Sequence, residues 1–150
     1  MAVSAPSLKG RALRLLSQRE HSRAELERKL AKYEEEPGAL AQALDELAAK
    51  DFISETRVVQ SVLNLRAPRT GAARVRQELQ QKGIAPDAIA QAVAGLRDTE
   101  LLRAREIWAR RFEAPAADAK ARARQARFLM ARGFSAEVVG KVLRPGLRED

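Results

Sequence analysis

The chain has 150 residues, 45% of them apolar, 32% charged and only 4% aromatic. That suffices for one globular domain or a few small helical modules, with more charge than the globular average. A net charge of +8 with one histidine and no cysteine excludes disulfides, thiolate metal sites and a cysteine nucleophile, and fits a reducing cytoplasm.

The spacing predicts a helix over 7–18, with Leu8, Leu13, Leu15 and Leu16 as its apolar positions. Lys9, Arg11 and Arg14 interrupt it, so a signal segment is not expected there. Ser22 and Glu25 form a capping box for a second helix through Leu26 and Leu30 to Tyr33. His21, just before the cap, is expected to set the chain's approach to that helix. Glu34, Glu35 and Glu36 lead into Pro37-Gly38 and read as a solvated loop, not an acid/base pair. A third helix carries Leu40, Leu44 and Leu47.

Residues 51–54 form a linker anchored by Phe52 and Ile53, and Ser54 caps a helix with Val58, Val59, Val62, Leu63 and Leu65. Pro68 and Gly71 end it. Val75 and Leu79 mark a fifth helix, which Gly83 stops; Pro86 suits the first turn of a sixth, with Ile89, Val93 and Leu96. A seventh spans 101–112 with Leu102, Ile107 and Trp108, where Trp108 is expected in the core. After a loop at 113–118, a basic helix over 119–132 carries Phe128, Leu129 and Met130, and Gly133 stops it. Ser135 caps a last helix with Val138, Val139, Val142 and Leu143, and Pro145-Gly146 ends the fold. Period-2 alternation is absent, so no strand is expected. No run approaches the ~20 apolar residues of a membrane span.

These elements repeat. Leu26 and Leu30 correspond to Val75 and Leu79, 49 positions on, and residues 80–93 overlie 130–143 at a shift of 50. Gly83 then meets Gly133. The expected architecture is all-α: three tandem three-helix repeats, helix-turn-helix-like, stacked in an elongated, gently curved array. The expected divisions are a tail at 1–7, repeats at 8–53, 54–98 and 99–146, and a tail at 147–150.

No phosphate loop, dinucleotide fingerprint, metalloprotease helix or serine elbow occurs. The chain is therefore expected to be no enzyme and to need no cofactor or metal. The charge excess points elsewhere. Residues 101–150 hold twelve basic and six acidic groups and so supply +6 of the +8, the footprint of a polyanionic or acidic partner. Arg66, Arg69, Arg74, Arg76 and Lys82 surround a loop and a helix start, where free amides would add positive potential. Arg122, Arg124, Arg127 and Arg132 lie on the basic helix, but at about 100° per residue they spread around its axis.

Four blocks now carry a resemblance: REHSRAELERKL (19–30), DFISETRVVQSVLNLR (51–66), RVRQELQQKGI (74–84) and RFLMARGFSAEVVGKVL (127–143). Together they resemble the RecX family, bacterial regulators of the RecA recombinase, over about residues 8–146. Two places depart. Thr70, Gly71 and Ala72 replace an aromatic-Gly-Pro segment, and Asp51 stands where glycine is common. The resemblance implies binding to RecA and to RecA filaments on single-stranded DNA, along the helical groove. It implies inhibition of ATP hydrolysis, strand exchange and coprotease activity, within DNA repair, homologous recombination and the SOS response. The nine cations named above are then the candidate contacts, with a monomer in the cytoplasm and weak direct DNA binding as further expectations. The rival expectation is a helix-turn-helix repeat protein that binds DNA without RecA.

Overall fold

The computed structural model describes residues 5–144. The expected close at Pro145-Gly146, residues 1–4 of the first tail and the tail at 147–150 lie outside the described residues. Among the described residues there are nine α-helices and no strand: α1 Leu8–Gln18, α2 Arg23–Leu30, α3 Ala39–Ala49, α4 Glu55–Arg66, α5 Ala72–Gln81, α6 Pro86–Arg97, α7 Glu100–Arg111, α8 Ala119–Ala131 and α9 Ala136–Leu143. A 3-10 turn at Ala31–Tyr33 extends α2.

Local chemistry sets most of the boundaries. Ser7, Ser22, Ser54, Asp118 and Ser135 each accept an amide of their helix's first turn. At α2 the capping box is complete: Ser22 Oγ accepts from the Glu25 amide at 3.1 Å, and Glu25 Oε1 accepts from the Ser22 amide at 2.9 Å. Glu34 reaches forward to accept the Leu40 amide at 2.9 Å. It therefore serves the start of α3, whereas Glu35 and Glu36 stay exposed as a loop should.

The helices pack in threes, α1–α3, α4–α6 and α7–α9. Each triplet owns a separate apolar core. The first gathers Ala12, Leu26, Leu30, Leu40, Leu44 and Leu47. The second is centred on Val58, Val62, Val75, Leu79, Ile89, Val93 and Leu96. The third holds Ala104, Ile107, Leu129, Phe134 and Val139, with Trp108 and Phe128 packed against it. Truncating a fully buried leucine such as Leu44 to alanine costs about 2–5 kcal/mol in cores of this kind.

Four of the apolar positions named from the spacing are exposed: Phe52, Leu65, Leu102 and Met130. A three-helix unit of this size has a narrow interior, so the stripe it buries is narrower than the stripe the sequence offers. Asp51 has φ +67°, the left-handed conformation that favours glycine and that Asp tolerates. That accounts for the glycine the family resemblance leads one to expect there.

Candidate partner interface

The triplets meet at two seams, and the seams arrange the cations. Gly83 (φ +72°) and Gly133 (φ +92°) end equivalent helices, α5 and α8. Each also abuts the helix one repeat earlier. A Cβ on Gly83 would lie 2.7 Å from the Ala24 Cβ, and one on Gly133 would lie 2.7 Å from the Arg74 backbone nitrogen. The same joint is thus used twice: the first turn of a second helix sits against the glycine that follows the next repeat's second helix.

At the first seam the joint is ionic. Glu25 Oε2 accepts from Arg19 at 2.8 Å and from Lys82 at 3.2 Å, while Arg28 donates to the Gln81 carbonyl at 3.0 Å. Burial alone would raise the Glu25 pKa. Arg19, the Ser22 amide and Lys82 more than reverse this and hold it at about 2. Behind it, His21 is buried; its Nδ1 lies 3.1 Å from the Arg19 carbonyl and its Nε2 3.2 Å from Lys29 Nζ. Burial lowers its pKa below 6.5, against the Arg19 hydrogen bond and helped by the charges of Arg19 and Lys29. A neutral ring that donates from Nδ1 and accepts at Nε2 satisfies both contacts.

At the second seam the joint is mostly backbone. Gly71 N–H donates to the Arg132 carbonyl at 2.7 Å, and Ala73 N–H to the Gly133 carbonyl at 3.2 Å. The buried Glu100 accepts the Ala72 amide at 2.9 Å. Three amides at the start of α5, expected to be free, are therefore occupied by the third repeat: those of Gly71, Ala72 and Ala73. A proline at 72 would have no N–H for Glu100, so Ala72 gives this seam a bond that the aromatic-Gly-Pro pattern lacks. Arg103 completes the joint, donating to the carbonyls of Ala67 at 2.8 Å, Thr70 at 2.6 Å and Leu96 at 3.0 Å. Burial lowers its pKa, opposed by Glu100. No sequence motif marks Arg103; two of its three carbonyl partners lie more than thirty positions away.

Six of the nine candidate cations divide among three places. Arg66, Arg74 and Lys82 line a cleft of about 590 Å³ over the first seam, with Arg28, Gln77 and Gln81. Two of the three are already paired: Arg66 Nε with Glu78 Oε1 at 2.8 Å, and Lys82 with Glu25. Arg74 is exposed and has no ion pair among the described residues. Arg76 lies two positions on, about 200° around the helix. It faces a separate groove of about 450 Å³ with Arg97, Glu100, Glu137 and Lys141.

Arg69 and Arg132 meet in a third groove of about 220 Å³, with Pro68, Arg110, Arg111 and Phe128. Arg132 donates to the Arg69 carbonyl at 3.3 Å and stacks 4.7 Å from the Phe128 ring centre. Sequence reading missed Arg110 and Arg111 there, although the Arg-Arg-Phe run at 110–112 was a signal. Arg122 is spent on the fold, donating to the Leu143 carbonyl at 2.7 Å. Arg124 and Arg127 are exposed on α8, outside these grooves.

No group of three or more metal-ligating side chains occurs among the described residues. No helix among them is long and apolar enough to cross a membrane. The first two grooves mix the candidate cations with Glu25, Glu78, Glu100 and Glu137, and only the third has no carboxylate in its lining.

Models of the RecX three-helix domains match the chain three times: the first domain over residues 9–47, the second over 54–93 and the third over 98–143. The chain belongs to the RecX family. Among its relatives, the regulatory protein RecX of Leptothrix cholodnii is 56% identical over 146 residues, covering 96% of this chain and 93% of the relative. That of Herminiimonas arsenicoxydans is 47% identical over 144 residues, covering 96% and 95%. The crystal structure of RecX from Lactobacillus salivarius superposes with a TM-score of 0.72 at 20% identity, over 90% of this chain and 91% of that one. A second crystal structure of a regulatory protein RecX gives 0.75, also at 20%, over 90% and 70%. The chain is thus a RecX-type regulatory protein, and the solved structures share its fold.

Proposed function

We propose that this protein binds RecA, above all RecA filaments on single-stranded DNA, and inhibits their ATP hydrolysis, strand exchange and coprotease activities. It acts as a monomer in the cytoplasm, as part of recombinational repair and the SOS response, and without a catalytic step of its own. The three modules, taken as 8–53, 54–98 and 99–146, would lie along the filament's helical groove. The observation that carries this reading is the unpaired Arg74, set in the cleft over the first seam on a chain whose family is regulatory. Arg69 and Arg132 supply a second contact across the 67–71 loop. Arg66 and Lys82 mainly shape the cleft, Arg76 serves the opposite face, and Arg122, Arg124 and Arg127 contribute least.

The test is RecA ATPase and strand exchange on single-stranded DNA with the protein added in stoichiometric amounts. Inhibition is expected; its absence sinks the reading. Because Arg74 and Arg76 face different grooves, Arg74→Glu and Arg76→Glu assayed separately identify the face. Arg74→Glu should weaken inhibition about tenfold, the loss typical of one interface anchor, and Arg76→Glu much less. Sequence-preferring, salt-sensitive binding to naked duplex, without any effect on RecA, would favour the helix-turn-helix rival.

A further inference from the structure

The first repeat holds a groove that neither its charge balance nor its sequence pattern announced. Residues 1–50 carry nine basic and eight acidic groups, nearly neutral in sum. Folding separates them. Arg11 and Arg14 on α1, Lys29 on α2 and Lys32 in the 3-10 turn line a groove of about 400 Å³ that no carboxylate lines. None of the four has an ion pair among the described residues, while Glu20, Glu27, Asp45 and Glu46 are each paired with other cations. Four uncompensated cations in one groove form a potential well for an anion.

The groove is not only ionic. Leu15 and Leu30 give it an apolar wall, and Tyr33 lies at its edge, 38% exposed. The Arg11 guanidinium stacks 3.7 Å from the Tyr33 ring centre, and Lys32 Nζ lies 5.2 Å from it. Stacked guanidinium and phenol form a flat platform. Lys29 is held in place by the neutral His21 ring behind it.

We propose that this groove takes single-stranded nucleic acid, with a base on the Arg11–Tyr33 platform and the flanking phosphates on Arg14, Lys29 and Lys32. Cations that track a backbone beside an aromatic stacking surface are the recognition chemistry of single strands. A volume near 400 Å³ admits one base-sized group. A duplex keeps its bases stacked inside and leaves both the apolar wall and the platform unused. An acidic protein surface would use the cations but not the platform. The inference goes beyond contact with RecA and does not depend on it.

The experiment is fluorescence anisotropy of a labelled oligothymidylate titrated with the full chain, without RecA, over a series of salt concentrations. Variants are Arg14→Glu/Lys32→Glu and Tyr33→Ala, checked for folding by circular dichroism. The charge-reversed variant should lose affinity at least tenfold and flatten the logarithmic salt slope by about 0.7 for each phosphate released. Tyr33→Ala should lose about tenfold with the slope unchanged, because stacking is not ionic. Wild-type affinity in the folded variants, or equal competition by a duplex of the same length, overturns the proposal. So does a charge-reversed variant that binds the oligonucleotide normally and no longer inhibits RecA, because the groove then belongs to the protein partner. If RecA inhibition is absent in every form while the oligonucleotide results hold, only the reading under Proposed function fails.

Discussion

The two seams use equivalent positions with opposite chemistry. At the first, Glu25 at the start of α2 faces Lys82 at the end of α5, 3.2 Å apart. One repeat on, those positions are Arg74 and Arg132, two like charges. The second seam therefore cannot be ionic. It is closed by backbone hydrogen bonds through Gly71 and Gly133, by Glu100 on the Ala72 amide and by Arg103 on three carbonyls. A repeated fold can thus keep its joint while releasing cations from one copy of it. The two arginines released from ion pairing there, Arg74 and Arg132, are among the contacts proposed above.

The largest expected effect breaks the second joint where it is tightest. Gly133→Ala places a Cβ against the Arg74 backbone at φ +92°. Left-handed strain and overpacking together should cost about 2–4 kcal/mol, read as a lowered denaturant midpoint. Gly83→Ala, which meets only the Ala24 side chain, should cost less. If the two variants lose equal stability, the second joint is not the tighter of the two.

Next in size are the seam carboxylates. Glu100→Ala strips the Ala72 amide of its acceptor and should cost about 1–3 kcal/mol. Thermal melts should then show the third repeat loosening first.

The first seam should be acid-sensitive. Glu25 is held at about 2 against an ordinary 4.5, so the unfolded chain takes up that proton more readily. Its stabilisation is full above pH 4.5 and is lost as the pH falls towards 2. His21 is lowered below 6.5, so the unfolded state also protonates first there, and stability declines as the pH drops below 6.5. Melting temperature against pH should fall in both windows. Glu25→Gln should flatten the lower one and leave the upper one.

The smallest stability effect sharpens the comparison. Arg74→Glu restores at the second seam the charge pattern of the first. Stability should stay within about 0.5 kcal/mol of the parent or rise slightly, as for exposed ion pairs. A large loss of stability would mean that Arg74 belongs to the joint and is not free for a partner.

The sequence disclosed much of the fold because its signals are local. Ser22 and Glu25 are three residues apart, and the capping box formed as the spacing implies. The apolar pairs Leu26/Leu30 and Val75/Leu79 are all buried. Gly83 and Gly133 both end their helices at positive φ. Phe52, Leu65, Leu102 and Met130 show where locality fails: they lie on the right elements but outside the narrow cores.

The candidate contacts were legible as a set of cations and not as a site. Arg74 and Arg76 look alike in the chain, and helix geometry alone separates their faces. Which cation is free depends on partners far off in sequence, such as Glu25 for Lys82 at a separation of 57 residues or Leu143 for Arg122 at 21. The groove of the first repeat was hidden for the same reason, since net charge near zero says nothing about how signs sort between faces. The sequence by itself determined the helices, their caps, the threefold repeat and the excess of positive charge, because each is written within a turn or two of chain. The tertiary structure decided which charges cancel and which stay open, because an ion pair forms between whatever side chains the packed cores bring within about 4 Å.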